Sequence, residues 1–315
     1  MGSMIARRIA IGLLTLWVVS VVVFIGTEIL PGDVAQIILG QSATPENLAA
    51  LRAELRLDEP AFVRYFDWLG GMLVGDLGVS KAGGATIASL IQNRLSNTLM
   101  MAGIVTLISV PLSVLIGLLA AMHPGTRLDR IVSFGTLSVI SVPEFFVATF
   151  LVLILAVQLK WLPSIAYLSG TENAWDLIRA LALPVFTLAI VISGQMIRMT
   201  RASLLNVLAT PYIEMAILKG VPRKRIVLRH ALRNAIGPII NVIVLNLAYL
   251  VSGVVIVETI FAYPGLAKLM IDGVQTRDLA LVQACAMIFC TTYVALILLA
   301  DIAALLFNPR LRHPS

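Results

Sequence analysis

Residues able to do chemistry are few and scattered in this chain. His123, His230 and His313 sit in three separate stretches, and Cys285 and Cys290 stand five apart in one apolar run. Helical spacing of five does not set the two thiols face to face, and a metal site or disulfide framework needs more ligands, so both read as packing residues. No H-E-x-x-H, Cys/His cluster or G-x-S-x-G occurs, which argues against a membrane protease or metalloenzyme. No G-x-x-x-x-G-K-[ST] loop occurs either, so nothing here cradles the phosphates of ATP. What remains is a set of acids and amides inside apolar runs, where ionisable groups are functional candidates by default. Glu144, beside Pro143 in VPEFF, lies nearest mid-membrane; a place on a solute pathway and a local hydrogen bond at a kink are both open to it. Glu258 lies toward one end of its run and reads either as a functional acid or as a structural pair. Asp301 reads as a structural partner for a basic residue, and Glu28 sits at a boundary that water reaches. Gln195, Asn241 and Asn246 either line a path or hydrogen-bond between helices.

The elements that hold these residues follow from composition. Of 315 residues, 59% are hydrophobic and 13% charged, and mean hydropathy is +0.97. A soluble domain carries roughly a quarter charged residues, so this chain cannot cover a water-facing surface. A disordered chain is excluded by the same numbers. The expectation is an all-α integral membrane protein. Six apolar stretches can each cross ~30 Å of hydrocarbon: Ile9–Leu30, Leu99–Met122, Ile131–Val157, Leu181–Ile197, Ile236–Phe261 and Leu279–Leu306. Pro111, Pro143, Pro184 and Pro238 fall inside them and mark candidate kinks. Met1-Gly2-Ser3 ahead of Met4 reads as a cloning remnant, and the first apolar run as an uncleaved span rather than a signal peptide.

A net charge of +6 does not point to nucleic acid, because no basic stripe is interleaved with aromatics. It reflects the excess of Lys and Arg on the cytoplasmic side of a membrane protein. Arg7, Arg8, Arg127, Arg130, Arg198, Arg201 and the run from Lys219 to Arg233 lie on one set of flanks. Acids such as Glu46, Glu54, Asp58, Asp67, Asp76 and Asp176 lie on the other. Both termini are then cytoplasmic. The chain divides into a tail and first span (1–30), an outside helical insert (31–98) and a core (99–315) holding a cytoplasmic loop at 198–235.

In the insert, Thr44-Pro45-Glu46 has the form of a helix start, with Thr as N-cap, Pro first and an acid in the first turn. Leu48, Leu51 and Leu55 follow at helical spacing, and Pro60 closes the segment. A second run, Phe62, Tyr65, Phe66, Leu69, ends at Gly70-Gly71, and GDLGVS (Gly75–Ser80) follows with glycines suited to tight turns. The insert is either a cap on the bundle or a docking platform for an outside partner.

The cytoplasmic loop, TPYIEMAILKGVPRKRIVLRHALRNAIGP (Thr210–Pro238), is the most informative stretch. Thr210 and Pro211 open a helix, and Ile213, Ala216, Ile217 and Gly220 recur at i, i+3, i+4, i+7. Gly220 stops that helix and Pro222 opens a second short one after a sharp bend. The apolar face either packs under the membrane, with Arg223, Lys224 and Arg225 on lipid headgroups, or sits in the groove of a soluble partner.

EMAILKG resembles the E-A-A-x-x-x-G loop of permease subunits of binding-protein-dependent ABC transporters. Glu214, Ala216 and Gly220 match, and Met215 departs from the usual alanine. RHALRNAIGP (Arg229–Pro238), LPGD (Leu30–Asp33), LDEP (Leu57–Pro60), GDLGVS, VETIFAYPGL (Val257–Leu266), RDLALVQA (Arg277–Ala284) and NPRLR (Asn308–Arg312) resemble the first permease subunit of the dipeptide/oligopeptide/nickel group. These segments are spread along nearly the whole chain, from Leu30 to Arg312.

The resemblance implies a type I importer permease fold of six transmembrane helices in a bacterial cytoplasmic (inner) membrane. It implies pairing with a second homologous permease, two cytoplasmic ABC ATPase subunits or domains, and a periplasmic or extracellular solute-binding protein. ATP and Mg2+ would then be bound by the ATPases, and no cofactor by this chain. Solutes of the group include di- and oligopeptides, nickel complexes and glutathione. The ATPase-coupling loop would be carried by Tyr212, Glu214, Ala216, Lys219, Gly220, Arg229 and His230, with Glu144, Gln195, Asn241 and Glu258 as candidates for the pathway or gate. A rival reading is a self-sufficient secondary transporter with Glu144 as its proton site.

Overall fold

Long apolar runs in lipid must satisfy every backbone polar group internally, and helices do so. The computed structural model describes residues 2–29, 34–54, 56–81, 83–168, 173–252 and 254–307. LPGD and NPRLR lie outside the described residues. The helices are α1 (Gly2–Glu28), α2 (Val34–Leu39), α3 (Pro45–Glu54), α4 (Ala61–Val74), α5 (Ile87–Met122), α6 (Arg127–Ser141) and α7 (Glu144–Leu151). They continue with α8 (Ala174–Leu208), α9 (Pro211–Leu218), α10 (Arg223–Arg225), α11 (Leu232–Ser252), α12 (Val255–Ile260), α13 (Leu266–Gln275) and α14 (Leu279–Phe307). A π-helical stretch, Val152–Gln158, extends α7, and another, Ile226–Ala231, joins α10 to α11.

Among the described residues, five segments are long and apolar enough to cross a membrane: Ile5–Glu28, Ile87–Met122, Ala174–Leu208, Arg223–Ile260 and Leu279–Ile302. They become six when α6 is counted as one span with α7 and its π-helical extension, a pair bent by 100° at the break. Of the four candidate kinks, the one at Pro143 is where the span over 131–157 breaks. Proline biases its predecessor out of the helical region, and Val142 is extended, at φ −97 and ψ 128. Pro111, Pro184 and Pro238 stay inside continuous helices. Three spans are much longer than their apolar runs, the one holding α11 starting at Arg223 rather than Ile236. Helix α5 starts at Ile87 rather than Leu99, and α8 covers 35 residues, because polar turns continue each helix beyond the hydrocarbon.

The chain forms two compact units. One comprises 6–98 and 264–294. Here Phe24 of α1 packs edge-on against Tyr65 of α4, ring centroids 5.4 Å apart, and Tyr65 shares a 2.8 Å hydrogen bond with Ser20. The Arg64 guanidinium donates to Glu28, and Gln283 Nε2 to Thr27 Oγ1 at 2.6 Å. Thr44 caps α3 through Asn47 N–H at 3.3 Å, as its sequence indicates. Gly70-Gly71 does not end α4; the helix runs on to Val74 and closes at Gly75, whose φ of +85 demands glycine. GDLGVS then meets RDLALVQA: Ser80 Oγ donates to Asp278 Oδ2 at 2.6 Å, and Asp278 Oδ1 caps α14 by accepting from Leu281 N–H. The end of VETIFAYPGL is tied here too. Asn97 Nδ2 donates to the Pro264 carbonyl at 2.8 Å, and Leu266 N–H to Thr98 Oγ1 at 2.9 Å.

The other unit comprises 1–5, 99–263 and 295–315. Its axis is α8, the most buried of the five spans. Leu183, Leu188, Ile192 and Met196 of α8 share a core with Met101 and Val105 of α5 and with Val242 and Leu250 of α11. Small residues let the backbones close up, as dispersion-driven packing in lipid requires. A Cβ at Gly117 would stand 2.8 Å from Thr200 Cβ, and one at Gly194 would stand 3.1 Å from a Val139 methyl.

Candidate functional site

The end of the second unit that carries α9 is built on a short connection. Helix α8 ends at Leu208, and Pro211 takes the first turn of α9, where its missing N–H costs nothing. Thr210 is not a side-chain cap; its hydroxyl donates back to the Val207 carbonyl at 2.5 Å. Helix α9 closes as a Schellman turn: Gly220 N–H donates to Ile217 O at 2.9 Å and Val221 N–H to Ala216 O at 3.2 Å. Gly220 sits at φ +75 with open space around it, so the backbone angle, and not crowding, calls for glycine. The expected second short helix is not separate. From Pro222 the chain runs through α10 and the π turn into α11.

The expected apolar stripe is split. Ile213 is fully buried and Ala216 half-buried, whereas Ile217 is exposed together with Tyr212, Met215 and Leu218. Glu214, Lys219, Gly220 and Arg229 are exposed and His230 is half-buried. Tyr212 is fixed from behind, its Oη accepting from Asn234 Nδ2 at 2.7 Å. Arg223, Lys224 and Arg225 are exposed in the first turn of a helix, where the macrodipole disfavours cations.

A second cluster lies where the broken span meets α11. Glu144 opens α7, and its Oε2 accepts from the phenol of Tyr249. Its Oε1 is buried and has no hydrogen-bond partner among the described residues. Tyr249 belongs to an exposed stripe on α11 with Asn234, Pro238, Asn241 and Leu245, while Ala235, Ile239, Val242 and Leu250 are buried. Gln195 is also exposed, although most of its neighbours on α8 are buried. Asn246 donates to its own helix at Val242 O. Glu258 is fully enclosed. Burial, with the Glu258 charge second, pushes the Tyr263 phenol well above its ordinary range. Near the start of α6, Asp129 receives Arg201 Nε at 2.5 Å, Arg201 Nη2 at 2.9 Å and Gly125 N–H at 2.9 Å.

This geometry places Tyr212, Glu214, Lys219 and Gly220 together on one exposed helix and its closing turn, and Glu144 with Tyr249 some way along α11. It does not bring Glu258 to the exposed stripe. Tyr249, Asn234 and the Asp129–Arg201 pair were not singled out from sequence. The spacing of Asn234, Asn241 and Tyr249, seven and eight residues along one helix face, was the available signal for the first two.

Comparison with known proteins decides the class. The family model described as the inner membrane component of binding-protein-dependent transport systems matches residues 113–313, and the model of its N-terminal part matches residues 1–102. The chain belongs to this family. Similar proteins include a probable peptide ABC transporter permease, y4tP, of Sinorhizobium fredii, 34% identical over 99% of this chain and 100% of its own. The oligopeptide transport system permease AppB of Bacillus subtilis is 31% identical over 99% and 100%. The glutathione transport system permease GsiC of Shigella flexneri is 32% identical over 95% of each chain. The permease is thus an inner membrane subunit of an ABC importer, a system that works with ATPase and solute-binding partners. Membership lends no support to the reading as a self-sufficient secondary transporter.

Proposed function

We propose that the permease forms half of the translocation pathway for peptides or related small solutes, and that α9 couples it to a cytoplasmic ATPase. The carrying observation is the outward apolar face of α9: Tyr212, Met215, Ile217 and Leu218 are exposed beside the charges of Glu214 and Lys219. On a short, rigidly closed helix such a face fits the groove of a soluble partner. Its buried anchor, Ile213, and the Tyr212–Asn234 bond tie it to the base of α11, so a push on α9 reaches the span. Names of relatives support peptides or glutathione as the solute class.

The assembly we infer holds a second homologous permease, two ATPase subunits or domains that bind ATP and Mg2+, and a binding protein at the outer face. Both termini are cytoplasmic. Arg223, Lys224 and Arg225 rest on anionic lipid headgroups, which offset three cations at a helix start. Transport is alternating access, the partners biasing two arrangements of the bundle.

Purifying the chain in mild detergent with its co-expressed neighbours tests the assembly. Stoichiometric recovery of a second permease and P-loop ATPases is expected; a lone chain that transports without ATP would overturn the proposal. Gly220→Val tests the loop. A β-branched residue at φ +75 is strained by ~1–2 kcal/mol, and loss of ATP-driven uptake is expected. Unchanged uptake and assembly would remove α9 from the coupling role.

A further inference from the structure

Two helices of the unit comprising 6–98 and 264–294 end in the same unusual way. Helix α3 closes with Arg56 N–H on Ala53 O at 3.2 Å and Leu57 N–H on Arg52 O at 3.0 Å. Helix α13 closes with Arg277 N–H on Val274 O at 3.2 Å and Asp278 N–H on Gly273 O at 2.9 Å. Both are Schellman turns, whose left-handed position suits glycine; Gly75 and Gly220 hold it after α4 and α9. Here arginine holds it, at φ +51 for Arg56 and φ +53 for Arg277. A helix dipole favours a cation at this end, but by less than a left-handed backbone costs a side chain.

Both arginines line one cavity of about 250 Å³, which Arg64 and Lys81 line as well. The acids there, Glu28, Asp67 and Asp278, number one fewer than the four cations, so the wall carries a surplus of positive charge. Nor do they use up the guanidinium donors. Arg56 gives Nη1 to Asp67 at 2.9 Å, and Arg64 gives Nη2 to Glu28 and Nε to the Glu59 carbonyl. Arg56 Nη2 and Arg64 Nη1 keep no hydrogen-bond partner among the described residues. Phe24, Leu57, Trp68 and Leu279 supply an apolar lining. The cavity lies where the spans Ile5–Glu28 and Leu279–Ile302 end, the level of lipid headgroups and of interfacial tryptophans. It is smaller than the ~300 Å³ at which pockets for whole small molecules begin, which suits a headgroup better than a solute.

We propose that this cavity is a phosphate site that seats the headgroup of a membrane phospholipid, with Arg56, Arg64 and Arg277 serving the phosphate oxygens. Guanidinium forks match phosphate oxygens in pairs. A seated lipid ties the ends of α3 and α13, far apart in sequence, to the ends of α1 and α14. The inference does not depend on the coupling role given to α9.

The test uses the full complex, stripped of lipid in detergent and titrated with dioleoyl phosphatidylglycerol, with bound lipids counted by native mass spectrometry. Wild type is expected to hold one phospholipid more tightly than the rest. Arg56→Gly with Arg277→Gly should weaken that one by about tenfold or more, two cations being removed from beside a phosphate. The pair relieves both left-handed positions, so the melting midpoint without lipid should not fall. Added lipid should raise the midpoint of wild type more than that of the pair. Arg64→Gln leaves both turns as they are, should weaken the same lipid by about fivefold, and serves if the glycine pair does not assemble. Arg52→Gln, one turn before Arg56 on α3 and outside the cavity, is the control for charge alone and should keep the tight lipid. Equal retention in wild type, the glycine pair and Arg64→Gln would overturn the proposal. So would an equal loss in Arg52→Gln, or equal binding of dioleoylglycerol, which has the tails and no phosphate. Excess inorganic phosphate should not displace the lipid; displacement would keep the phosphate site and assign it to the free ion.

Discussion

Single residues divide here into those that hold the bundle and those that face outward, and burial tells them apart. Asp129 is 4% exposed and takes both prongs of Arg201 besides a backbone N–H. Asp129→Asn should therefore lower stability by on the order of 2 kcal/mol, the worth of hydrogen bonds to a charged group. Arg201→Lys should not rescue it, since an ammonium cannot reproduce the fork. The Arg56–Asp67 pair is the control, with side chains 61% and 59% exposed. Removing Asp67 should cost less than ~1 kcal/mol. Thermal unfolding in detergent measures all three, and equal shifts for Asp129 and Asp67 would refute the distinction. Sequence reading marked Glu144 because an acid in an apolar run is conspicuous. It missed the partner Tyr249, 105 residues later, because nothing local announces a contact across the fold. Asp129 and Arg201 were counted only as flanking charges for the same reason.

Helices pack as closely as their smallest residues allow. At Gly117 an added methyl would meet Thr200 at 2.8 Å and the Ile197 carbonyl at 3.0 Å, so α5 would have to leave α8. Gly117→Ala is expected to destabilise by ~1–3 kcal/mol. Gly103→Ala, on the same helix with nothing within 4 Å, should be neutral or gain up to ~1 kcal/mol from helix propensity. Melting midpoints in detergent that fell equally for both would mean that α5 and α8 do not approach at Gly117. Helix existence was legible from the apolar runs, and so were the starts at Pro45 and Pro211 and the stop at Gly220. Helix ends were not. A run of apolar residues marks what lies in hydrocarbon, whereas α5 and α8 carry on as ordinary polar helices. Nor could sequence say which of four prolines breaks its span. Each removes one N–H, but only at Pro143 does the preceding residue turn extended while the chain bends by 100°.

For the whole molecule, the arrangement of charge along the chain sets an expectation of which way it faces. Arg127 and Arg130 begin α6, Arg198 and Arg201 lie in the last turns of α8, and Arg223, Lys224 and Arg225 begin the span that holds α11. With the bent pair taken as one crossing, two crossings separate the first of these clusters from the second and none separates the second from the third, so all three are expected on one side of the membrane. By the same count the acid-rich segment of α3 and α4 is expected on the other. Lys and Arg resist translocation, so the basic side is expected in the cytoplasm. Single cysteines test it, Asp58→Cys in the exposed turn before α4 and Lys224→Cys in α10, each with Cys285→Ala and Cys290→Ala. A membrane-impermeant maleimide should label the Asp58→Cys variant in right-side-out vesicles and the Lys224→Cys variant only in inverted ones. The result bears on more than topology. ATP is hydrolysed in the cytoplasm, and α9 precedes Lys224 by a single turn and a bend. If the Lys224→Cys thiol were labelled from outside, α9 would face away from any ATPase, and its coupling role would fall with the orientation. If labelling follows the charges, the exposed Tyr212, Met215, Ile217 and Leu218 stand where a nucleotide-driven partner can press on them, and the Tyr212–Asn234 bond carries that push into α11 and toward Tyr249.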